Sequence, residues 1–285
     1  MLKFRNRLFD LSEPLVMGIL NATPDSFFDG GKYPDISAFM RQAEKMLHDG
    51  AALLDVGGAS TRPGAADVPE DEELRRVLPL IQTLRKEFPD ALLSIDTWRT
   101  GVAQAAVEAG ADMVNDVSAG RFDTGFSETV AALRVPYVLM HSSGKPLVMQ
   151  QQTDYGDIVT EVLDFFIEHT ARLRVLGITD IILDPGFGFG KTVEQNYMLL
   201  QNLHVFRQIT GLPVLAGLSR KSMICKVLRV SPAGALNGTT ALHVVALQQG
   251  VSILRVHDVR EAAEVIKLMR HLKDSTQGAD NRPLC

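Results

Sequence analysis

A repeated strand–helix unit is the feature that most constrains how this 285-residue chain can fold. Four predicted helices end at a glycine, and an apolar run follows each of these glycines within a few residues. The four are Gly50, Gly110, Gly177 and Gly250. Glycine readily adopts the left-handed conformation that commonly ends a helix. Alternation of helices and apolar strands predicts parallel strands with helices packed outside them.

Eight apolar runs are the candidate strands, and they begin at Leu15, Leu53, Leu92, Met113, Tyr137, Ile181, Val214 and Ile253. Eight parallel strands in a chain of this length favour an α/β fold with one domain, the (β/α)8 TIM barrel, over residues 15–273. A doubly wound open sheet is the alternative, which strand spacing alone does not exclude. Residues 1–14 are predicted to be an extension that caps the barrel, and residues 274–285 a polar, disordered tail.

Composition argues against several classes of protein. The net charge is −5 without a basic stripe, which argues against nucleic acid as a partner. No apolar run approaches the length of a membrane span, and the first ten residues lack the apolar core of a signal peptide. Cys225 and Cys285 are the only cysteines, and neither has a metal-ligand neighbour at useful spacing. A cytoplasmic protein without structural zinc is expected.

The segment from Asp184 to Lys191 has an unusual composition. Asp184 ends an apolar run, and three glycines then alternate with two phenylalanines before Lys191. This pattern predicts a loop whose backbone lies close to a ligand. Its spacing is one residue short of a Walker phosphate loop and does not match the dinucleotide-binding G-x-G-x-x-G pattern. A purely structural glycine turn is the simpler alternative.

Polar residues follow or end nearly every predicted strand. They are Asn21, Asp55, Asp96, Asn115, His141, Asp184, Lys221, Arg255 and His257. A polar side chain in such a place costs desolvation free energy unless it meets a partner or a ligand. In a barrel these strand ends meet on the face that carries active sites. The sequence therefore predicts a functional rim, with a mutually satisfied buried network as the alternative.

Five segments together resemble the dihydropteroate synthase family, and they are residues 20–27, 60–64, 184–191, 219–222 and 255–258. The likeness extends from about Leu15 to Leu272. It implies a TIM-barrel transferase of folate biosynthesis. Such an enzyme condenses 6-hydroxymethyl-7,8-dihydropterin pyrophosphate with p-aminobenzoate to give 7,8-dihydropteroate and pyrophosphate. The resemblance also implies Mg²⁺, a homodimer and inhibition by sulfonamides.

The resemblance assigns the pterin and its pyrophosphate to Thr61, Arg62, Asp96, Asn115, Asp184, Lys221, Arg255 and His257. Asp184 would accept hydrogen bonds from the amino and ring nitrogens of the pterin. Lys221 would donate to its carbonyl or a ring nitrogen, and Arg255 would pack its guanidinium against the ring. Arg62, with Arg255 and His257, would share the charge of the pyrophosphate.

The remaining roles concern the aniline, the metal and catalysis. The p-aminobenzoate site is assigned to Phe27, Pro63, Phe189 and Ser222, and the Mg²⁺ contact to Asn21. The catalytic assignment is Asp96, Asp29, Arg62 and Lys221. The implied reaction is a dissociative displacement in which Asp96 and Asp29 stabilise the pterin methylene cation.

Three places depart from the common family pattern: Ala59, Phe28 and the segment His141 to Gly144. None of them removes a residue that was assigned to chemistry. Two alternative functions stay open at this point. One is a pterin-binding methyltransferase that works with a corrinoid protein, and the other is a pterin-binding protein without catalysis.

Overall fold

Eight parallel strands form a barrel in the computed structural model, which describes residues 1–4, 7–22, 35–59, 68–144, 149 and 153–279. They are β3 (Leu15–Asn21), β4 (Leu53–Gly57), β5 (Leu92–Asp96), β6 (Met113–Asp116), β7 (Tyr137–Met140), β8 (Ile181–Asp184), β9 (Leu215–Ala216) and β10 (Ile253–Val256). From β3 to β8 each strand pairs with the next, and β10 pairs with both β9 and β3. A parallel bridge between Leu183 and Val214 joins β8 to the start of β9. The predicted closed barrel is confirmed, and the open sheet is excluded.

Ten helices surround the strands in the described part of the chain. They are α1 (Ile36–His48), α2 (Glu70–Glu87), α3 (Thr100–Glu108), α4 (Phe126–Leu133), α5 (Ile158–Val175), α6 (Val193–Gln201), α7 (Leu203–Thr210), α8 (Ser222–Leu228), α9 (Leu236–Gln248) and α10 (Val259–Ala279). The four glycines that were predicted to end helices all have positive φ, between 82° and 120°. This prediction is confirmed. Among these helices none is long and apolar enough to cross a membrane.

The closing helix α10 is longer than the sequence predicted. It continues past Leu272 to Ala279, into residues that were expected to be disordered. Arg270 contacts Glu13 at 3.2 Å and Asp274 at 4.0 Å. These contacts link α10 to the segment before β3 and support its last turns, as ion pairs spaced four residues apart do on a helix surface.

The lower end of the barrel is apolar and covered. One inward side chain from each strand joins a buried cluster: Met17, Leu53, Leu92, Met113, Val138, Ile182, Leu215 and Ile253. Leu2 and Phe4, from the antiparallel pair β1 (Leu2–Phe4) and β2 (Arg7–Phe9), pack on this cluster together with Leu11. Because strand side chains alternate, residues two positions further on also point inward, nearer the C-terminal ends. That layer contains the polar side chains.

Candidate active site

Arg255 is the centre of a buried ionic network inside the barrel. Its Nε donates to Oδ2 of Asp55 at 2.6 Å, and its Nη2 donates to Oδ2 of Asp96 at 2.6 Å. The side-chain amide of Asn115 also donates to Oδ2 of Asp55, at 2.9 Å. Strands β4, β5, β6 and β10 each supply one of these residues, so barrel closure brings them together. The structure thus brings together Asp96, Asn115 and Arg255, three of the residues that were assigned to the pterin and its pyrophosphate.

The network holds negative charge at a high electrostatic cost. Burial raises the pKa of Asp96 to about 7, although the Arg255 charge opposes this shift and the carboxylate of Asp55 adds to it. Burial would lower the pKa of Arg255, but Asp55 and Asp96 raise it above its usual range. Among the residues that the structure describes, Oδ1 of Asp55 and Oδ1 of Asp96 are buried and have no hydrogen-bond partner. These two oxygens are acceptors that a ligand with N–H groups can satisfy.

Asp184 provides a third inward carboxylate at the end of β8. Its Oδ1 accepts a hydrogen bond from the backbone N–H of Gly186 at 2.8 Å. Burial raises the pKa of Asp184, and the hydrogen bond from Gly186 together with the charges of Lys221, Arg255 and Lys191 opposes the shift. The carboxylate is therefore surrounded by cations but retains acceptor capacity on its second oxygen.

The glycine loop, residues 185–190, needs glycine at its three alternating positions. Gly186, Gly188 and Gly190 have φ of +68°, +81° and +65°. A Cβ on Gly186 would lie 2.0 Å from the carbonyl oxygen of His141. A Cβ on Gly190 would lie 1.7 Å from Oγ of Ser143. The loop is therefore a closely packed turn in which a larger residue at Gly186 or Gly190 would clash with its neighbours. The predicted loop is present, and its closeness to a ligand stays a prediction.

Lys221 and Phe189 lie together beside this loop. Nζ of Lys221 lies 4.2 Å from the centre of the Phe189 ring, a cation–π distance. The Lys221 side chain also passes beside Gly188, because a Cβ built there would lie 3.5 Å from its Cδ. Ser222 begins α8 directly after Lys221. The structure thus brings three of the predicted substrate residues to one side of the barrel mouth.

The turns after β9 and β10 are connected by hydrogen bonds and an ion pair. Oγ of Ser219 lies 3.0 Å from Nδ1 of His257 and accepts from its backbone N–H at 3.2 Å. Arg220 binds Asp258 through two hydrogen bonds of 3.0 and 2.6 Å. The predicted site residue His257 is therefore held against the turn that carries Lys221.

Asn21 lies close to Asp96 at the end of β3. A Cβ built on Gly57 would lie 3.6 Å from Oδ1 of Asn21 and 3.8 Å from Oδ2 of Asp96, so both oxygens flank one point. Such oxygen donors are the type that Mg²⁺ prefers. Within the described ranges, no cluster of three or more His, Cys, Asp or Glu side chains is arranged to hold a metal ion. A metal here would need oxygens from a ligand.

One predicted rim residue, His141, is not part of the site. Its ring packs edge-on against Phe165 of α5 at 4.8 Å and lies 6.0 Å from the ring of Tyr155. Val138 points into the barrel, so alternation directs the side chain three residues later outward. Burial lowers the pKa of His141 to about 2, which leaves the ring neutral. The expectation for this side chain was wrong.

Five predicted site residues lie outside the described residues: Phe27, Asp29, Thr61, Arg62 and Pro63. Conversely, two residues had no assigned role and belong to the site's framework. Asp55 is the partner of Arg255 and Asn115, and its position at the end of an apolar strand was the available signal. Lys191 ends the glycine-rich motif and is buried beneath the loop. Its place in that motif was the corresponding signal.

The chain matches known proteins along most of its length. A family model described as pterin binding enzyme matches residues 17–257. The dihydropteroate synthase of Escherichia coli strain K12 is 44% identical over 262 residues, which cover 91% of this chain and 92% of the relative. This chain belongs to the dihydropteroate synthase family. Its members are transferases, so the predicted family and enzyme class are confirmed.

Solved structures of dihydropteroate synthases have the same fold. The Yersinia pestis enzyme, solved with a sulfonamide drug complex, has a TM-score of 0.90 at 42% identity and covers 96% of this chain and 99% of its own. The Xanthomonas albilineans enzyme, solved with 4-aminobenzoic acid, has a TM-score of 0.88 at 42% identity, with coverage of 95% and 97%. The buried carboxylates and the glycine loop of this chain therefore lie in a fold that dihydropteroate synthases share.

Proposed function

We propose that this protein joins 6-hydroxymethyl-7,8-dihydropterin pyrophosphate to p-aminobenzoate, giving 7,8-dihydropteroate and pyrophosphate. The observation that carries this function is the inward group of Asp96, Asn115, Asp184 and Arg255 in a barrel of this family. The carboxylates of Asp96 and Asp184 are acceptors, and the pterin edge consists of amino and ring N–H donors.

Asp184 accepts hydrogen bonds from the donor edge of the pterin in this proposal. Its Oδ1 is already engaged by Gly186, so Oδ2 is the oxygen that faces the ligand. Asn115 and the unpartnered Oδ1 of Asp96 bind the rest of the ring system. Lys221 donates to the carbonyl or a ring nitrogen, on the side where Phe189 lies. Each pterin group then meets a complementary atom.

Loss of pyrophosphate is the step that needs electrostatic help. The bond between the pterin methylene carbon and the pyrophosphate oxygen breaks first, and both electrons leave with the oxygen. Asp96 stabilises the cation that remains, together with Asp29, and Arg62, Arg255 and His257 bind the departing anion. The aniline nitrogen then forms the new C–N bond and releases a proton. An aniline is nucleophilic enough without a strong general base.

The p-aminobenzoate site is proposed beside the glycine loop. The Phe189 ring would form an aromatic wall of this site, and Nζ of Lys221 lies 4.2 Å from the centre of that ring. The carboxylate of p-aminobenzoate is directed toward Ser222, where α8 begins. Phe27 and Pro63, from outside the described residues, complete the site in this proposal.

Mg²⁺ is proposed to bind between the protein and the pyrophosphate. Asn21 would hold the ion, with Asp96 beside it and phosphate oxygens as the other ligands. When bound, the ion neutralises charge on the leaving group. Calorimetric titration of Mg²⁺ in the presence of pyrophosphate, on wild type and Asn21→Leu, tests this assignment. Equal affinity for the two proteins would exclude Asn21.

A cytoplasmic homodimer is proposed from family membership alone. Light scattering after size-exclusion chromatography decides the oligomeric state, and a single species at 31.2 kDa would reject the dimer.

The decisive experiment measures pyrophosphate release when both substrates are mixed with the protein and Mg²⁺. Release that depends on p-aminobenzoate, with dihydropteroate as the organic product, supports the proposed function. Binding of a pterin without release would favour a non-catalytic pterin-binding protein. Activity that requires a corrinoid protein but not p-aminobenzoate would favour a methyltransferase.

A further inference from the structure

Lys191 is a buried cation to which the mechanism above gives no task. Its side chain is 5% exposed, and its Nζ donates to three backbone carbonyls. The acceptors are the oxygens of Gly186 at 2.9 Å, Phe189 at 3.1 Å and His141 at 3.3 Å. An ammonium group has three N–H bonds, and each has an acceptor here.

These three carbonyls belong to two separate parts of the barrel rim. Gly186 and Phe189 lie in the glycine loop after β8, whereas His141 follows β7. The positive φ angles of the loop glycines shape the turn. The carbonyl oxygens of Gly186 and Phe189 and that of His141, which follows β7, therefore surround one point. A cluster of carbonyl oxygens repels itself unless a cation or N–H donors occupy its centre. The Lys191 ammonium supplies both.

We propose that Lys191 is a positioning residue, which fixes the glycine loop so that Phe189 and Asp184 are correctly placed for the two substrates. The inference rests on the proposed function for the identity of those substrates. Lys191 binds the carbonyl of Phe189, whose ring faces Lys221. It also binds the carbonyl of Gly186, whose N–H holds the Asp184 carboxylate. Both ends of the loop therefore depend on one ammonium group.

The cost of burying this cation supports a specific task. Burial lowers the pKa of Lys191 to about 7; the Asp184 carboxylate opposes the shift, whereas Lys221 and Arg121 add to it. A buried apolar side chain would avoid this cost but would leave three carbonyls without donors. The three carbonyl acceptors therefore explain why a lysine occupies position 191.

The principal variant is Lys191→Met, which keeps most of the side-chain volume and removes all three donors. We expect the KM for p-aminobenzoate to rise about tenfold or more, because loss of a charge-assisted hydrogen-bond set costs more than 1.4 kcal/mol. We also expect faster hydrogen exchange of the amides of residues 185–190. Lys226→Met, an exposed lysine on α8, is the matched control and should leave both readouts at wild-type values.

The two readouts separate positioning from general stability. A Lys191→Met protein with a lower melting temperature but wild-type KM and wild-type loop exchange would overturn the proposal. The exchange measurement needs no turnover. If the wild-type protein released no pyrophosphate, the proposed function would fail, but loop exchange would still test the role of Lys191.

A second variant tests the same three contacts by chemical rescue, with the rescuing ion present during folding, so it stays informative if Lys191→Met does not fold. Lys191→Ala removes the three side-chain carbons and the nitrogen that propylammonium contains. We expect propylammonium to restore slow loop exchange and the KM for p-aminobenzoate, whereas tetramethylammonium, which has no N–H donor, should not. Equal effects of the two ions, or no effect of either, would contradict the proposed role of the three hydrogen bonds to backbone carbonyls.

Discussion

Asp184 is buried, its Oδ1 accepts a hydrogen bond from the Gly186 N–H, and its Oδ2 is the oxygen proposed to face the pterin. Asp184→Asn places an N–H donor where the pterin needs an acceptor. We expect a loss of pterin affinity of about tenfold to over a hundredfold, since a charge-assisted hydrogen bond contributes roughly 1.5–3 kcal/mol. Calorimetry with a pterin ligand measures it. Asp164→Asn, an exposed carboxylate on α5, is the control, and unchanged affinity in Asp184→Asn would remove this residue from the pocket.

Asp96 should link stability to pH. Its pKa rises from 3.8 to about 7 on folding, mainly because of burial. The folded state therefore binds the proton more tightly, and stability from this group is complete below 3.8 and is lost as the pH rises through about 7. The asparagine side chain of Asp96→Asn does not ionise, so this variant does not lose stability from this group as the pH rises. We expect its free energy of unfolding, relative to wild type, to increase between these two pH values and then level off.

Chemical denaturation at several pH values checks this expectation. Asp164→Asn should show no comparable trend. A relative stability of Asp96→Asn that is flat or decreases with pH would mean that the pair with Arg255 outweighs burial. The same variant should lose activity, because the carboxylate that stabilises the pterin cation is gone. Stability and function would then change in opposite directions at one residue.

Residue type and strand position predicted most of the site, but not the direction of every side chain. Asp96, Asn115, Asp184 and Arg255 meet because each lies an even number of positions after the inward apolar residue of its own strand. His141 follows a strand that is apolar on both faces, so its direction could not be read from the pattern. The pairing of Asp55 with Arg255 spans 200 residues and needed barrel closure to be seen.

At the scale of elements, two glycines with similar positive φ, Gly190 in the glycine loop and Gly211 after α7, differ in how closely other atoms approach them. Gly190 has φ +65°, and a Cβ there would lie 1.7 Å from Oγ of Ser143 and 2.8 Å from the backbone oxygen of Met149. Gly211 has a similar φ of +71° after α7, and no atom of the described residues would lie within 4 Å of a Cβ there. Alanine at either position incurs a left-handed backbone cost of roughly 1–2 kcal/mol.

We expect Gly190→Ala to lose distinctly more stability than Gly211→Ala, because only the first substitution also forces neighbouring atoms apart. Equilibrium unfolding in denaturant gives both free energies. Gly190→Ala should also raise the KM for p-aminobenzoate, whereas Gly211→Ala should not. Equal losses of stability would show that the loop yields easily, which would also weaken the case for a fixed Phe189.

Elements with clear boundary signals were predicted well. Glycine marks four helix ends, as the sequence predicted. The pair α6 and α7 was not predicted, because residues 193–210 contain no glycine or proline and Asn202 alone separates the two helices. Arg270 of α10 contacts Glu13, which lies 257 residues earlier in the chain, and such distant partners leave no local trace.

On the scale of the whole molecule, the two ends of the barrel have different tasks. The lower end is a continuous apolar layer sealed by Leu2 and Phe4. The upper end contains three carboxylates, two lysines and Arg255, which burial alone would disfavour. A closed and capped lower end supplies stability that the charged upper end lacks. The sequence predicted the polar end of this division, because polar residues follow or end nearly every predicted strand.

The final prediction concerns inhibition, which needs the assembled barrel mouth. Sulfonamides carry an aniline ring like that of p-aminobenzoate and a polar sulfonyl group in place of its carboxylate. The ring would lie beside Phe189, and the sulfonyl oxygens would take the place of the carboxylate near Ser222. We expect inhibition that is competitive with p-aminobenzoate, so high substrate should restore the full rate. The related Yersinia pestis enzyme was solved with a sulfonamide drug complex.

Steady-state rates at several fixed sulfonamide concentrations decide the matter. Competitive inhibition raises the KM for p-aminobenzoate and leaves kcat unchanged. Phe189→Ala should weaken p-aminobenzoate and the drug together, because both would lose the same aromatic wall, whereas Lys226→Met should affect neither. Inhibition that p-aminobenzoate cannot overcome would place the drug elsewhere. Loss of affinity for only one of the two compounds in Phe189→Ala would show that they do not share the wall formed by the glycine loop.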